Sequence, residues 1–269
     1  AQGAAVITLE ADFRPVTGFV GFNNGASDAL GRFNLSTGVE FNNPLKFGET
    51  FYLRFSGAPQ KLVGSAPRSR VLAGGFTVPL GFSGLNLNVE ASSSNTTPDT
   101  PTALTRSFYD RQSIRLLYPF IRSRQINFSG QVSLDLQEDT QELLTGGVVV
   151  PLFKDKMTVL RFGGNITYTD KNNAVTDGRF VLARGLDTLG ARTAKEAAAN
   201  GLRLSRAGSD ASFAKLTGSV SHRRALTDEL SLSVSGRFQT SFGNALVNSE
   251  QFSIVGGQEI STFDSGSLS

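Results

Sequence analysis

The chain contains no cysteine, no tryptophan, one histidine and one methionine in 269 residues. Without thiols there are no disulfide staples, thiolate zinc sites or cysteine nucleophiles, and a single imidazole, His222, excludes multi-histidine metal centres. The expectation is therefore a protein without metal or cofactor, and not an enzyme. Charge is also sparse: Asp, Glu, Lys and Arg make up 18% of the chain, against about 25% in an ordinary soluble domain. Its 26 basic and 23 acidic residues are scattered, so no block of like charge is long enough to hold nucleic acid. Nowhere is there a run of the ~20 apolar residues a spanning helix requires; the longest, Gly146 to Phe153, is broken by Pro151. That excludes a helical membrane protein. The opening residues lack a basic segment followed by a continuous apolar stretch, so they do not read as a signal peptide; the expectation is a cleaved leader or a start inside a longer protein.

What is abundant is glycine, 29 residues, phenylalanine, 21 residues, and alternation. In Glu229 to Phe242 one face carries Leu230, Leu232, Val234, Gly236, Phe238 and Phe242, and the other Ser231, Ser233, Ser235, Arg237, Gln239 and Ser241. Ile126 to Gln137 repeats the pattern, with Ile126, Phe128, Val132, Leu134 and Leu136 opposing Asn127, Ser129, Gln131, Ser133, Asp135 and Gln137. Period-two alternation is the signature of strands whose two faces meet different environments. Similar windows at 33–41, 49–56, 85–91 and 160–168, and weaker ones at 17–23, 70–80, 108–118, 178–189 and 212–224, bring the expected number to about eleven strands. Several reach the ~9 to 11 residues that cross a bilayer when tilted. Short turns are expected at Asn23-Asn24-Gly25, Asn42-Asn43-Pro44, Lys154-Asp155-Lys156 and Thr227-Asp228, and longer insertions at 92–105, 170–177 and 190–210. Within the last, Thr193 to Gly201 reads as a short helix with a Thr cap, Glu196 three residues on and a Gly stop. No linker or composition break divides the chain.

Alternation alone does not say which face meets lipid and which meets water. The polar face mixes Ser, Asn and Gln with Arg54, Arg111, Arg115, Arg161 and Arg237, which suits a hydrated lumen, and the aromatics near strand ends suit interfacial girdles. Other motifs carry less. Asp135, Glu138, Asp139 and Glu142 read as turn acids near a rim, and His222 sits beside Arg223 and Arg224 where a rim tolerates charge. Ser205 lacks a nucleophile elbow, and the pairs Gly146-Gly147 and Gly163-Gly164 suit strand curvature rather than phosphate binding.

Residues 18–55, GFVGFNNGASDALGRFNLSTGVEFNNPLKFGETFYLRF, resemble the opening of the barrel in two-partner-secretion transporters of the TpsB type, a branch of the outer-membrane protein 85 superfamily. The Asn-Asn-Gly turn and the Asn-Pro turn followed by Gly-Glu carry the likeness, which continues through GLDTLGA at 185–191 and GRFQTSFGNALVNSEQFSIVGG at 236–257. The resemblance implies an all-β, transmembrane antiparallel β-barrel of about sixteen strands, of which this chain supplies about eleven, with a sixth extracellular loop directed into the lumen. It further implies that residues 1–15 end a periplasmic polypeptide-transport-associated domain or linker, that 16–247 are barrel strands and that 248–269 begin the sixth loop. In that loop the family's Val-Arg-Gly-Phe/Tyr motif is represented by Ile260, Ser261, Thr262 and Phe263 after Gly256 and Gly257, so the arginine is replaced by Ser261. Such a transporter sits in the bacterial outer membrane among its lipids and takes a secreted adhesin- or hemolysin-like polypeptide as partner. Arg115, Asn127, Gln131, Arg161, Arg237 and Gln239 are then the candidate lumen-facing residues, the arginines holding the loop or contacting the passing chain. A passive barrel or assembly component without secretion activity, and a soluble β-rich binding module, are the rival readings.

Overall fold

The computed structural model describes residues 13–62, 64, 66–100 and 104–252; the loop motif from Gly256 to Phe263 lies outside them. One antiparallel sheet accommodates almost everything described, and its eleven strands follow one another in chain order. They are β1 (Val16–Asn23), β2 (Asn34–Asn42), β3 (Thr50–Gly57), β4 (Ser69–Pro79), β5 (Asn86–Thr96), β6 (Leu104–Arg122), β7 (Ile126–Thr145), β8 (Val148–Thr169), β9 (Val175–Leu186), β10 (Ala214–Ala225) and β11 (Ser231–Thr240). Each strand window read from the alternation overlaps one of them, but β5, β7 and β8 run well past the windows at 85–91, 126–137 and 160–168, and the insertion expected at 92–105 shrinks to 97–103, because pairing with a hairpin neighbour carries a strand beyond its alternating stretch.

The two ends of the sheet differ. At one, the connections are 43–49, 80–85, 123–125, 170–174 and 226–230; at the other they are 24–33, 58–68, 97–103 and 187–213, with 146–147 as a tight exception. Several expected turns are corrected by this arrangement. Lys154-Asp155-Lys156 lies inside β8, and the acids Asp135, Glu138, Asp139 and Glu142 lie inside β7 rather than at a turn. The β7–β8 hairpin instead closes at Gly146-Gly147, both at positive φ (55° and 79°), the conformation a two-residue primed turn demands and glycine supplies without strain. The insertion expected at 170–177 shrinks to 170–174 on the tight end, and Asn23-Asn24-Gly25 opens a loop of the long end. Both bulges fall beside a proline, Pro119 in β6 and Pro151 in β8, where a missing N–H would break a regular ladder.

The faces are inverted relative to a soluble sandwich. Along β7 the polar residues Ser133, Asp135 and Gln137 are buried, while Val132 is 41% exposed. Ile114, Phe162, Leu182, Val220, Val234 and Phe238 are likewise exposed on the apolar face. A sealed interior of Leu, Val and Phe rows is thus not what the sheet builds; the apolar rows look outward. On that face of β7 the apolar residues run from Ile126 to Leu136, matching the ~9 to 11 residues of a tilted bilayer crossing. Beyond that band the same face turns ionic, with Glu138 taking both Lys154 and Lys156, and Arg106 donating to Glu142 at 2.7 Å.

The only cluster of buried apolar side chains among the described residues lies on the polar face, where loops fold back over it. Met157 and Val159 of β8 and Ala183 of β9 pack against Ala191, Ala197, Leu204, Ala211 and Phe213 of the 187–213 connection and Leu246 and Val247 after β11. Gly185 makes this possible: an added Cβ would stand 2.1 Å from the Ala211 carbonyl oxygen and 2.4 Å from the Phe213 ring. Inside the connection, helix α1 (Ala194–Ala199) starts at the expected capping box, the Thr193 side chain accepting from the Glu196 N–H while the Glu196 carboxylate accepts from the Thr193 N–H.

Candidate functional site

Above the buried cluster, five charged side chains from separate elements meet. Asp135 of β7, with no exposed surface, accepts from the Ser113 hydroxyl at 2.6 Å and from Arg111 at 3.1 Å on one oxygen, and from Arg161 Nε at 2.6 Å on the other. Arg161 of β8 turns its two terminal nitrogens to the Glu250 carboxylate at 2.5 and 3.2 Å. The Lys215 ammonium of β10 donates to the same carboxylate and, at 2.8 Å, to the Glu250 carbonyl oxygen. Glu250 ends a short 3-10 turn (Asn248–Glu250) after β11 and is 1% exposed. Burial works against its ionised form, but the Arg161 guanidinium and the Lys215 ammonium overcome this and hold its carboxyl below the ordinary value. Charge-assisted, bidentate bonds of this kind are directional, so they fix where the chain goes after β11 as well as holding it.

Register explains why these residues converge. Arg115, Ser133, Arg161, Ala183 and Lys215 occupy successive partner positions across β6 to β10 and therefore share a face. A second brace runs alongside: the Ser205 N–H donates to Asp155 at 2.8 Å, and the Ser205 hydroxyl accepts from the Asn248 N–H at 2.9 Å. Ser205 is thus a strut between β8 and the segment after β11.

The same register places all six expected lumen residues on the polar face. Arg161 is the centre of the network. Arg115 is half-buried beside it, opposite Ser133, and Gln131 lies opposite Gly163. Asn127 is exposed near the tight end. Arg237 places its guanidinium 4.9 Å from the centre of the Phe252 ring, and Gln239 is half-buried opposite Thr217. Sequence reasoning missed Glu250, Lys215 and Asp135 as partners. Asp135 carried a usable signal, a lone charge in a row otherwise made of Asn, Ser and Gln; Glu250 carried none, because its partners are distant in sequence.

Known proteins match this fold. Residues 4–269 match the haemolysin secretion/activation protein family ShlB/FhaC/HecB. The chain belongs to that family. The outer membrane transporter CdiB of Escherichia coli O6:K15:H31 (strain 536 / UPEC) is 27% identical over 193 residues, 71% of this chain and 32% of that protein. The solved structure of CdiB from Escherichia coli superposes with a TM-score of 0.72 at 23% identity, over 95% of this chain and 46% of that one. CdiB from Acinetobacter baumannii gives 0.63 at 16% identity, over 94% and 43%. The chain thus spans about a third of the curated relative's length and under half of each solved structure. As a member of the ShlB/FhaC/HecB family it is an outer-membrane β-barrel chain, with the apolar face toward lipid and the polar face inward.

Proposed function

We propose that this ShlB/FhaC/HecB chain forms part of the wall of an outer-membrane pore that moves a partner polypeptide to the cell surface, and that the segment after β11 begins a loop held inside that pore. The observation that supports this reading is the buried network from Arg111 to Lys215. It spans β6, β7, β8 and β10, and it fastens a segment outside the strands to the inward face. A passive wall has no need of that: its lumen charges can pair with one another across the strands. In this reading the inward row of Arg115, Asn127, Gln131, Arg161, Arg237 and Gln239 gives an unfolded chain a hydrated path. An extended chain crossing lipid without such a path would leave its backbone groups unsatisfied.

The family and CdiB support a transporter; the identity of the partner is a finer matter, for which an adhesin- or haemolysin-like polypeptide is our proposal. No bond is made or broken in such a task. The test is deletion of the full-length gene followed by analysis of culture supernatant and cell surface. We expect loss of one secreted polypeptide, restored by the wild-type gene and reduced by Glu250→Ala at equal barrel abundance. Unchanged secretion after deletion overturns the reading in favour of a passive barrel.

A further inference from the structure

Two carboxylates that the network does not use face one another on the inward side. Asp139 of β7 and Asp155 of β8 are directly opposed in register, and both lie past the apolar band that ends at Leu136. Opposed residues of an antiparallel pair hold their Cβ atoms about 4.5 to 5.5 Å apart, close enough for like charges to oppose folding. Asp155 is 1% exposed. Its Oδ1 accepts from the Ser205 N–H at 2.8 Å, whereas its Oδ2 is buried and has no hydrogen-bond partner. A buried carboxylate oxygen without a donor is costly, and the group standing across from it is a second carboxyl that can supply one only when protonated.

We propose that Asp139 and Asp155 share one proton, held by Asp139 and donated to Asp155 Oδ2, and that this shared proton latches the 187–213 connection onto β8. The surroundings favour it. Opposite Asp139 on β6 stands Tyr109, which is neutral; Arg111, two residues on along the same face, is paired with Asp135, and Lys154 and Lys156 face the other way, toward Glu138. From the connection, Arg192 is the one cation acting on Asp155, and its guanidinium is engaged by the Lys154 and Leu202 carbonyl oxygens. Burial first, and then the negative charge of Asp155, push the Asp139 carboxyl up to about 6.

The sign follows. A carboxyl whose value is raised in the latched state stabilises that state fully below its ordinary value near 3.8, and the contribution is lost as pH rises through about 6. Above that, two negative charges oppose across the pair. Asp155 relieves the repulsion by turning out, which breaks its bond to Ser205. The same strut carries Asn248, so release at Asp155 reaches the segment after β11.

The test is hydrogen exchange of the full-length protein in detergent or nanodiscs, followed by mass spectrometry over peptides from 187–213, between about pH 5 and pH 8, with rates corrected for chemical exchange. We expect protection to fall at least about tenfold across that range in the wild type. Asp139→Asn, whose amide supplies the donor at every pH, should stay protected throughout. Asp155→Asn provides a second variant should the first fold poorly, and it also should lose the pH step. A wild type with no step, or a step that survives in both variants, overturns the proposal. So does protection at pH 8 that appears only with millimolar calcium and vanishes with chelator, which would assign the pair to a cation. Because the readout is exchange, its result is independent of whether a polypeptide is secreted.

Discussion

Two stretches of the inward face solve the same problem differently. Across β3 to β5, Tyr52 donates to Glu90 at 2.8 Å, and the Asn88 amide donates to the Tyr52 oxygen at 3.1 Å, Thr77 Oγ1 at 3.1 Å and the Phe76 carbonyl at 3.2 Å. Every partner is on a strand. Across β6 to β10, Arg161 and Lys215 instead depend on Glu250, which belongs to no strand. The first stretch is a wall that satisfies itself; the second is complete only when a segment from beyond β11 is in place. Buried polar groups must be paired, so the location of the missing partner decides which part of a wall is coupled to something that can leave.

Perturbing each stretch should separate them. Glu250→Ala leaves Arg161 and Lys215 buried against one fewer carboxylate, a change that costs about 3–5 kcal/mol at buried pairs; the thermal midpoint in detergent should drop steeply, and an unchanged midpoint would refute the dependence. Gly185→Ala drives a methyl group into the Ala211 carbonyl, and overpacking of this kind costs about 1–3 kcal/mol. It should show as lost exchange protection in 211–213 with the strands intact. Tyr52→Phe removes one hydroxyl from the self-contained stretch, worth about 1 kcal/mol, and should leave exchange after β11 untouched. Glu138→Gln, at a half-exposed pair with Lys154 and Lys156, should shift the midpoint by no more than about 1 kcal/mol's worth.

Acid sharpens the same contrast. Glu250 has its carboxyl held below the ordinary value, so its contribution is present above the unfolded value and is lost as pH falls through the folded one. Titration toward acid should therefore free the segment at 241–252 before β3 to β5 lose protection. Since Asp139 works in the opposite sense, the 187–213 connection should loosen on the alkaline side instead.

Much of the fold was legible because alternation is a local property. Strands as different as β1 and β11 were found close to their observed ends from side-chain order alone, and the capping box of α1 from three residues. Turns were less legible where the local signal competed with a longer one. Lys154-Asp155-Lys156 has turn composition, yet β7 and β8 pair past it, because the continuing ladder and the Gly146-Gly147 hinge outweigh three polar residues. Phe19, near a strand end and thus a candidate girdle residue, lies instead on the inward face with its ring over Gly38, where an added Cβ would stand 2.5 Å from it. Which face a strand-end aromatic takes depends on parity set by its partner.

The family resemblance was likewise readable in runs such as the one from Gly236 to Gly257. The candidate site was half readable. Arg161 was named from its place on the polar face, while Glu250, eighty-nine residues away along the chain, was not.

The order of apolar and polar side chains by itself determined that the chain would form extended strands with two unlike faces, because adjacent side chains on a strand point oppositely whatever surrounds them. Only the tertiary structure decided that the polar face of β7 is buried at Ser133, Asp135 and Gln137 and that Asp135, Arg161, Lys215 and Glu250 meet there. Contacts between distant residues come from register and loop closure summed over many strands, and no short window of sequence contains that sum.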